Sequence, residues 1–143
     1  MSARKTMLDT IIALAKKVRS GAYWVHRGPV NWATFDYGNR PRGIAVRFED
    51  GQFLAPHSMN EATLGIDLFT AWDDDPGNPD VDDGLIDELI DDATEIVEAL
   101  GRATDAQGDA VVFRIARTTA RVMEVSDADL GVLGVIVQFN VTY

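Results

Sequence analysis

The sequence predicts an α+β fold in which two main helices pack on one face of a mixed or mainly antiparallel sheet. Two segments repeat apolar residues at three- and four-residue spacing, which indicates helices, and other segments alternate apolar and polar residues, which indicates strands. Their order along the chain is helix, strands, helix, strands, and this order favours helices on one face of an antiparallel sheet. The length of 143 residues fits a single domain, residues 1–143.

The first helix is predicted from Met7 to Arg19, with Gly21 as its stop signal. Cations near its C-terminal end suit the negative end of the helix dipole. A long irregular loop, residues 26–42, is predicted to follow, because proline and glycine interrupt any regular pattern there. The apolar face of the helix consists of Met7, Leu8, Ile11, Ile12, Leu14, Ala15 and Val18.

The next segments predict strands. Residues 43–53 indicate a strand, a turn at Asp50-Gly51 and the start of a partner strand. Residues 62–72 alternate as a strand does, and an acidic loop, residues 73–84, follows. Near the end of the chain, residues 110–117 form a strand that either continues through residues 120–125 or turns back there. Residues 132–141 are the last predicted strand.

The second helix is predicted from Leu85 to Leu100, with Asp82 or Asp83 as its N-terminal cap and Gly101 as its end. One face is apolar, and the opposite face contains acids with no cation four residues away. That face therefore gains no local ion pair and has some like-charge repulsion. The acids opposite the apolar face are Asp87, Glu88, Asp91, Asp92, Glu95 and Glu98.

The net charge of −10 is unevenly distributed along the chain. Residues 1–47 contain nine Lys or Arg and two acids, whereas residues 48–101 contain sixteen acids and no Lys or Arg. Complementary surfaces of this kind can steer like subunits head to tail. The alternative is that folding interleaves the two segments and cancels the polarity.

The residues that usually perform catalysis are sparse. There is no cysteine, and the two histidines, His26 and His57, do not have zinc-binding spacing. No nucleophilic serine motif or phosphate-binding loop occurs, and the acidic loop matches the calcium-binding pattern poorly. The sequence therefore predicts a protein that is not an enzyme and has no cofactor or metal. An enzyme built around His57, Glu61 and Asp67 is a third interpretation.

The sequence also argues against a membrane or a specific nucleic acid as partner. No apolar run approaches the roughly 20 residues of a membrane span, which predicts a soluble protein. Residues 27–47 combine arginines with aromatics, as nucleic-acid interfaces do. The negative total charge, however, repels a phosphate backbone.

The order of elements, the length and the closing strand 134–143 resemble tail terminator or tail completion proteins of long-tailed bacteriophages. The resemblance implies a ring, commonly a hexamer, that caps the tail tube and joins it to the head connector. The implied partners are other copies of the chain, the tail tube protein and the head connector protein, with DNA passing through without specific binding. The implied location is the virion, after assembly in the host cytoplasm.

Two groups of residues are candidates for such contacts. The aromatics of the long loop and the arginines after them are predicted to dock on a neighbour, since Trp and Tyr provide large contact area at low entropic cost; the alternative is that the aromatics pack on their own core. These residues are Trp32, Phe35, Tyr37, Arg40 and Arg42. The second group is predicted to line an acidic lumen or to face a partner, and it consists of Asp73, Asp74, Asp75, Asp87 and Asp91.

The alternative function is a small acidic adaptor or binding domain that recognises a basic protein partner. This alternative uses the same acidic helix face, but it predicts a monomer whose ligand binding is sensitive to salt. A discrete hexamer-sized species that salt loosens would support the ring.

Overall fold

The structure is a computed structural model, and it describes residues 3–30, 42–52, 60–71, 79–127 and 132–143. In chain order its elements are helix α1 (Ala3–Lys17), a 3-10 turn (Val18–Gly21), strands β1 (Trp24–Arg27), β2 (Arg42–Gln52) and β3 (Glu61–Ala71), helix α2 (Pro79–Arg102), and strands β4 (Arg114–Asp127) and β5 (Val132–Thr142).

The five strands form one sheet in the order β1-β2-β3-β5-β4. The β1–β2 pair is parallel, and the other three neighbouring pairs are antiparallel, so the sheet is mixed. The helices pack against this sheet. The predicted α+β fold is therefore confirmed.

Both helices bury their apolar residues on the same side of the sheet. Leu64, Ile66 and Leu68 of β3 point to the helices and are fully buried. The alternation follows from the period of two residues in a strand. Burying one such side chain contributes about 1.5–3 kcal/mol to folding. The helices contribute Met7, Leu8, Ile11 and Ala15 from α1, and Ile86, Leu89, Ala93, Ile96 and Leu100 from α2.

The end of α1 is tighter than the sequence predicted. The helix stops at Lys17, and the 3-10 turn continues the chain to Gly21. Arg19 and Ser20 have left-handed backbone angles there, with φ of 48° and 53°. A non-glycine residue in this conformation costs about 1–3 kcal/mol. Contacts elsewhere must therefore hold the turn.

The strands extend into segments that the sequence assigned to the loop 26–42. β1 includes His26 and Arg27, and β2 begins at Arg42. β1 consists of four residues at the edge of the sheet. A strand this short carries little alternation for the sequence to reveal.

The predicted turn at Asp50-Gly51 is wrong. β2 continues to Gln52, and Gly51 pairs with Ala62 of β3. The register shifts between Phe48 and Asp50, so that Glu49 is the additional residue of a β-bulge. The bulge accommodates the Asp-Gly pair within the strand.

The bounds of α2 also differ from the prediction. The helix begins at Pro79, so Asp82 and Asp83 lie inside its first turns and do not cap it, and it continues through Gly101 to Arg102. Proline suits a first turn because its missing N–H has no helical acceptor there. Neither helix, over the residues that the structure describes, is long and apolar enough to cross a bilayer.

β4 settles the arrangement that the sequence left open near the end of the chain. It continues from Arg114 to Asp127 without turning back. Its register against β5 shifts between Ala116 and Arg121. The irregularity explains why the pattern in the sequence breaks between residues 117 and 120.

Candidate functional site

Many of the predicted contact residues lie outside the described part of the chain. Trp32, Phe35, Tyr37 and Arg40 fall within residues 31–41, and Asp73, Asp74 and Asp75 fall within residues 72–78. Their role therefore stays a prediction. Arg42, Asp87 and Asp91 are described, and all three lie on or beside α2.

Arg42 makes its contacts within the subunit. Its Nη2 donates a hydrogen bond to Glu88 Oε2 at 2.7 Å, and its guanidinium carbon lies 5.9 Å from the centre of the Tyr23 ring. Its Nη1 is buried and has no hydrogen-bond partner. The first residue of β2 is thereby fixed to α2.

The acidic side of α2 divides into two parts. Glu88 and Asp92 are paired with arginines from the first third of the chain, Arg42 and Arg19. The other four carboxylates make no ion pair with any described residue, and all are exposed. We call these four residues the acidic face, and they are Asp87, Asp91, Glu95 and Glu98.

Asp92 is the most enclosed carboxylate of the helix. Its side chain is 6% exposed and accepts hydrogen bonds from Arg19 Nε at 2.7 Å, Arg19 Nη2 at 3.1 Å and the Tyr23 hydroxyl at 2.5 Å. Burial raises the pKa of the Tyr23 hydroxyl far above its ordinary value, and the hydrogen bond from this hydroxyl to Asp92 adds to the effect. The cluster ties the left-handed turn after α1 to the middle of α2.

The burial of Asp92 was not predicted, although its position in the sequence indicates it. Asp92 lies three residues after Leu89 and four before Ile96, both of which are buried. It therefore occupies a position of the apolar stripe and not of the exposed face. An acid on such a stripe requires a partner, because burying an unpaired charge is costly.

A second polar cluster lies on the side of the sheet away from the helices. Arg47 of β2 binds both carboxylate oxygens of Asp67 on β3, with Nε–Oδ2 at 3.0 Å and Nη2–Oδ1 at 2.7 Å. It also binds Glu49, and Gln138 of β5 donates to both oxygens of Glu49. Gly65 leaves space for the Arg47 guanidinium, since a Cβ at residue 65 would lie 2.6 Å from Arg47 Nη2.

Asp67 is buried although it carries a titratable carboxyl. Burial raises the pKa of this carboxyl above its ordinary value, and the hydrogen bonds from Arg47 act in the opposite direction. Asp67 is thus part of an ion pair that links β2 to β3. The sequence also suggested an enzyme built around His57, Glu61 and Asp67. His57 lies outside the described residues, and Glu61 is exposed at the start of β3.

An apolar groove of about 520 Å³ runs between α2 and the β4–β5 side of the sheet. We call it the α2 groove. Glu98 and Arg102 are its charged lining residues. Phe113, which lies two residues before the lining residue Ile115, is 59% exposed. Large apolar side chains that line the groove are Ile90, Val97, Ile115, Val137 and Phe139.

The described surface of α2 has the composition of a protein interface. Within the described ranges, no three side chains of His, Asp or Glu are grouped as metal ligands. The exposed surface of α2 instead combines uncompensated carboxylates with an adjoining apolar groove. Polar groups around an apolar centre are the usual composition of a protein interface.

Comparisons with known proteins give no further guide to the family. No protein-family model matches the chain, and no curated protein is significantly similar to it.

Proposed function

We propose that the protein is a structural subunit of a phage-like tail, which assembles into a ring that terminates the tail tube and joins it to the head connector. The observation that carries the proposal is the acidic face, four exposed carboxylates without an ion-pair partner among the described residues. It is supported by the resemblance of element order and length to tail terminator proteins.

Folding pairs part of the basic segment with the acidic segment, and some described charges of both signs stay unpaired. Arg19, Arg42 and Arg47 are neutralised by carboxylates of the acidic third of the chain. Lys16 and Lys17 remain exposed at the end of α1 without an ion pair among the described residues. Lysines at the end of α1 and a carboxylate near the end of α2, Glu98, are suited to head-to-tail association.

The acidic face also suits a lumen through which DNA passes. Asp87, Asp91 and Glu95 span about two turns of α2, with an axial rise of about 1.5 Å per residue. Carboxylates spaced in this way repel the closely spaced phosphates of duplex DNA, so the DNA would not adhere to the wall. Asp73, Asp74 and Asp75, which the sequence predicts for the lumen, lie outside the described residues.

The acidic face is equally consistent with the second candidate, an adaptor that binds a basic protein. An adaptor of this kind would stay monomeric, and it would bind a polybasic peptide with an affinity that falls steeply as salt is added. The ring requires instead that the chain binds itself. The two proposals therefore differ in what the acidic face contacts.

The experiment is a measurement of mass by light scattering at low and high salt, with electron microscopy of the same samples. We expect a discrete species near six subunits at low salt, annular in projection, that dissociates as salt increases. We also expect it to leave duplex DNA unbound. Asp91→Lys should cause the ring to retain DNA, and Asp109→Lys, an exposed change outside α2, should not.

Two results would refute the ring. One is a monomer at all salt concentrations and at submillimolar protein, and the other is an assembly with no central opening. A monomer that binds polybasic peptide through Asp91 would establish the adaptor instead.

A further inference from the structure

The helix layer covers only part of the sheet. Neighbouring strands are about 4.8 Å apart, so five strands span about 19 Å between the outermost axes. Two packed helices are about 8–10 Å apart. Here α1 packs over β1 and β2, and α2 packs mainly over β5. β4 is at the edge beyond α2, and the α2 groove opens above it.

The groove has the shape of a surface on which another helix can pack. Ile90, Thr94, Val97 and Gly101 follow one another at four- and three-residue spacing, which places them along one flank of α2. Thr94 and Gly101 are exposed and small. Small side chains allow a second helix to approach closely, and the floor of the groove offers apolar surface to it.

The opposite end of the helix layer presents a flank of complementary character. Asp9 of α1 approaches Arg27 of the edge strand β1 to 3.9 Å, so this flank faces away from α2. The same spacing rule places Lys5, Ile12 and Lys16 along it. Ile12 is half-buried and Lys16 is exposed. Asp9 lies between Lys5 and Ile12 and is paired with Lys5, so Lys16 is the cation beside Ile12 that has no ion pair among the described residues.

We propose that the α2 groove binds the outer flank of α1 from a second copy of this chain. Ile12 of one copy fills the apolar groove of the next, and Lys16 faces Glu98. The inference rests on the proposed self-association and assigns its interface. Because the groove and the flank lie at opposite ends of one helix layer, each copy can use both, and the contact is head to tail.

Charge reversal with complementation tests this interface. Lys16→Glu and Glu98→Lys are each expected to weaken self-association at least about tenfold, because each puts like charges in contact. An equimolar mixture of the two variants should recover assembly, since every contact then pairs opposite charges. Asp109→Lys, an exposed charge reversal outside both helices, is the control, and it should assemble as wild type does.

Cysteine crosslinking detects the contact even if association is weak. The chain has no cysteine, so a variant carrying both Lys16→Cys and Glu98→Cys has only the introduced thiols. On mild oxidation we expect a ladder of dimers, trimers and higher species, which the head-to-tail contact requires. Neither single variant should form species beyond dimers.

The outcomes separate this interface from the ring itself. Rings without the ladder, or rings unaffected by either charge reversal, would overturn the interface and leave the proposed ring intact. A ladder that forms open chains but no annular particles would support the interface and overturn the ring. The absence of both the ladder and assembly would overturn both.

Discussion

The strongest prediction concerns Asp92, which links the turn after α1 to α2. Asp92→Asn keeps an acceptor for Tyr23 but removes the charge that Arg19 contacts through two hydrogen bonds. Breaking a fully buried pair costs about 3–5 kcal/mol. The Arg19 side chain is 36% exposed and can be rehydrated, so we expect a smaller loss of about 2 kcal/mol.

Tyr23→Phe removes one of the hydrogen bonds to Asp92 and should cost about 1 kcal/mol. The double variant should lose less than the sum of the two changes, because both act on one cluster. Urea unfolding with an unchanged m-value measures these free energies. Asp91→Asn is the matched control, since this neighbour is exposed. A loss for Asp92→Asn no larger than that for Asp91→Asn would refute the structural role of the cluster.

The same cluster predicts a dependence on alkaline pH. The Tyr23 hydroxyl has a raised pKa in the folded chain, whereas an unfolded tyrosine ionises near pH of about 10. Its contribution is therefore complete below that pH and is lost as the pH rises through the folded-state pKa. The stability difference between wild type and Tyr23→Phe should shrink from about pH 9 to about pH 11. A constant difference across this range would contradict the assignment.

Three further predictions concern the sheet and the acidic face. Arg47→Met leaves Asp67 buried without its cation and should cost about 3 kcal/mol at neutral pH; urea unfolding should show part of this regained in acid, since protonation of a carboxyl with a raised pKa favours the fold. Gly65→Ala would displace the Arg47 guanidinium and cost about 1–3 kcal/mol, yet it should cost much less in the Arg47→Met background. Asp91→Lys adds pairs with Asp87 and Glu95 and should stabilise the chain by about 0.5 kcal/mol in thermal unfolding; a lower Tm would contradict the repulsion we assign to that face.

The elements that the sequence predicted well are those with a strong period. The apolar stripe of α2 and the alternation in β3 depend only on which side chains are buried, and burial is visible in the pattern. β1 was missed because four edge residues have little pattern. The turn at Asp50-Gly51 was wrong because a bulge and a hairpin turn use the same residue types, and pairing with β3 decides between them.

The interactions of the polar residues could not be predicted in the same way. Arg19 and Asp92 are separated by many residues, as are Arg47 and Asp67, and only the fold brings each pair together. The sequence showed that Asp87 and Asp91 belong to an acidic helix side. The place of Asp92 on the apolar stripe indicates that this acid needs a partner, but the sequence could not show that the partner is Arg19. The α2 groove was missed because it depends on the widths of the two layers.

The position of β5 has a consequence for synthesis of the chain on the ribosome. β5 pairs with β3 on one side and β4 on the other, and its register brings Thr142 opposite Glu61. Until β5 emerges, β3 has one bare edge and β4 has no described strand to pair with. The nascent chain therefore presents unpaired edges for most of its translation, and a strand edge of this kind is prone to aggregate. Chaperone binding during translation is expected to concentrate between the completion of β3 and the release of β5.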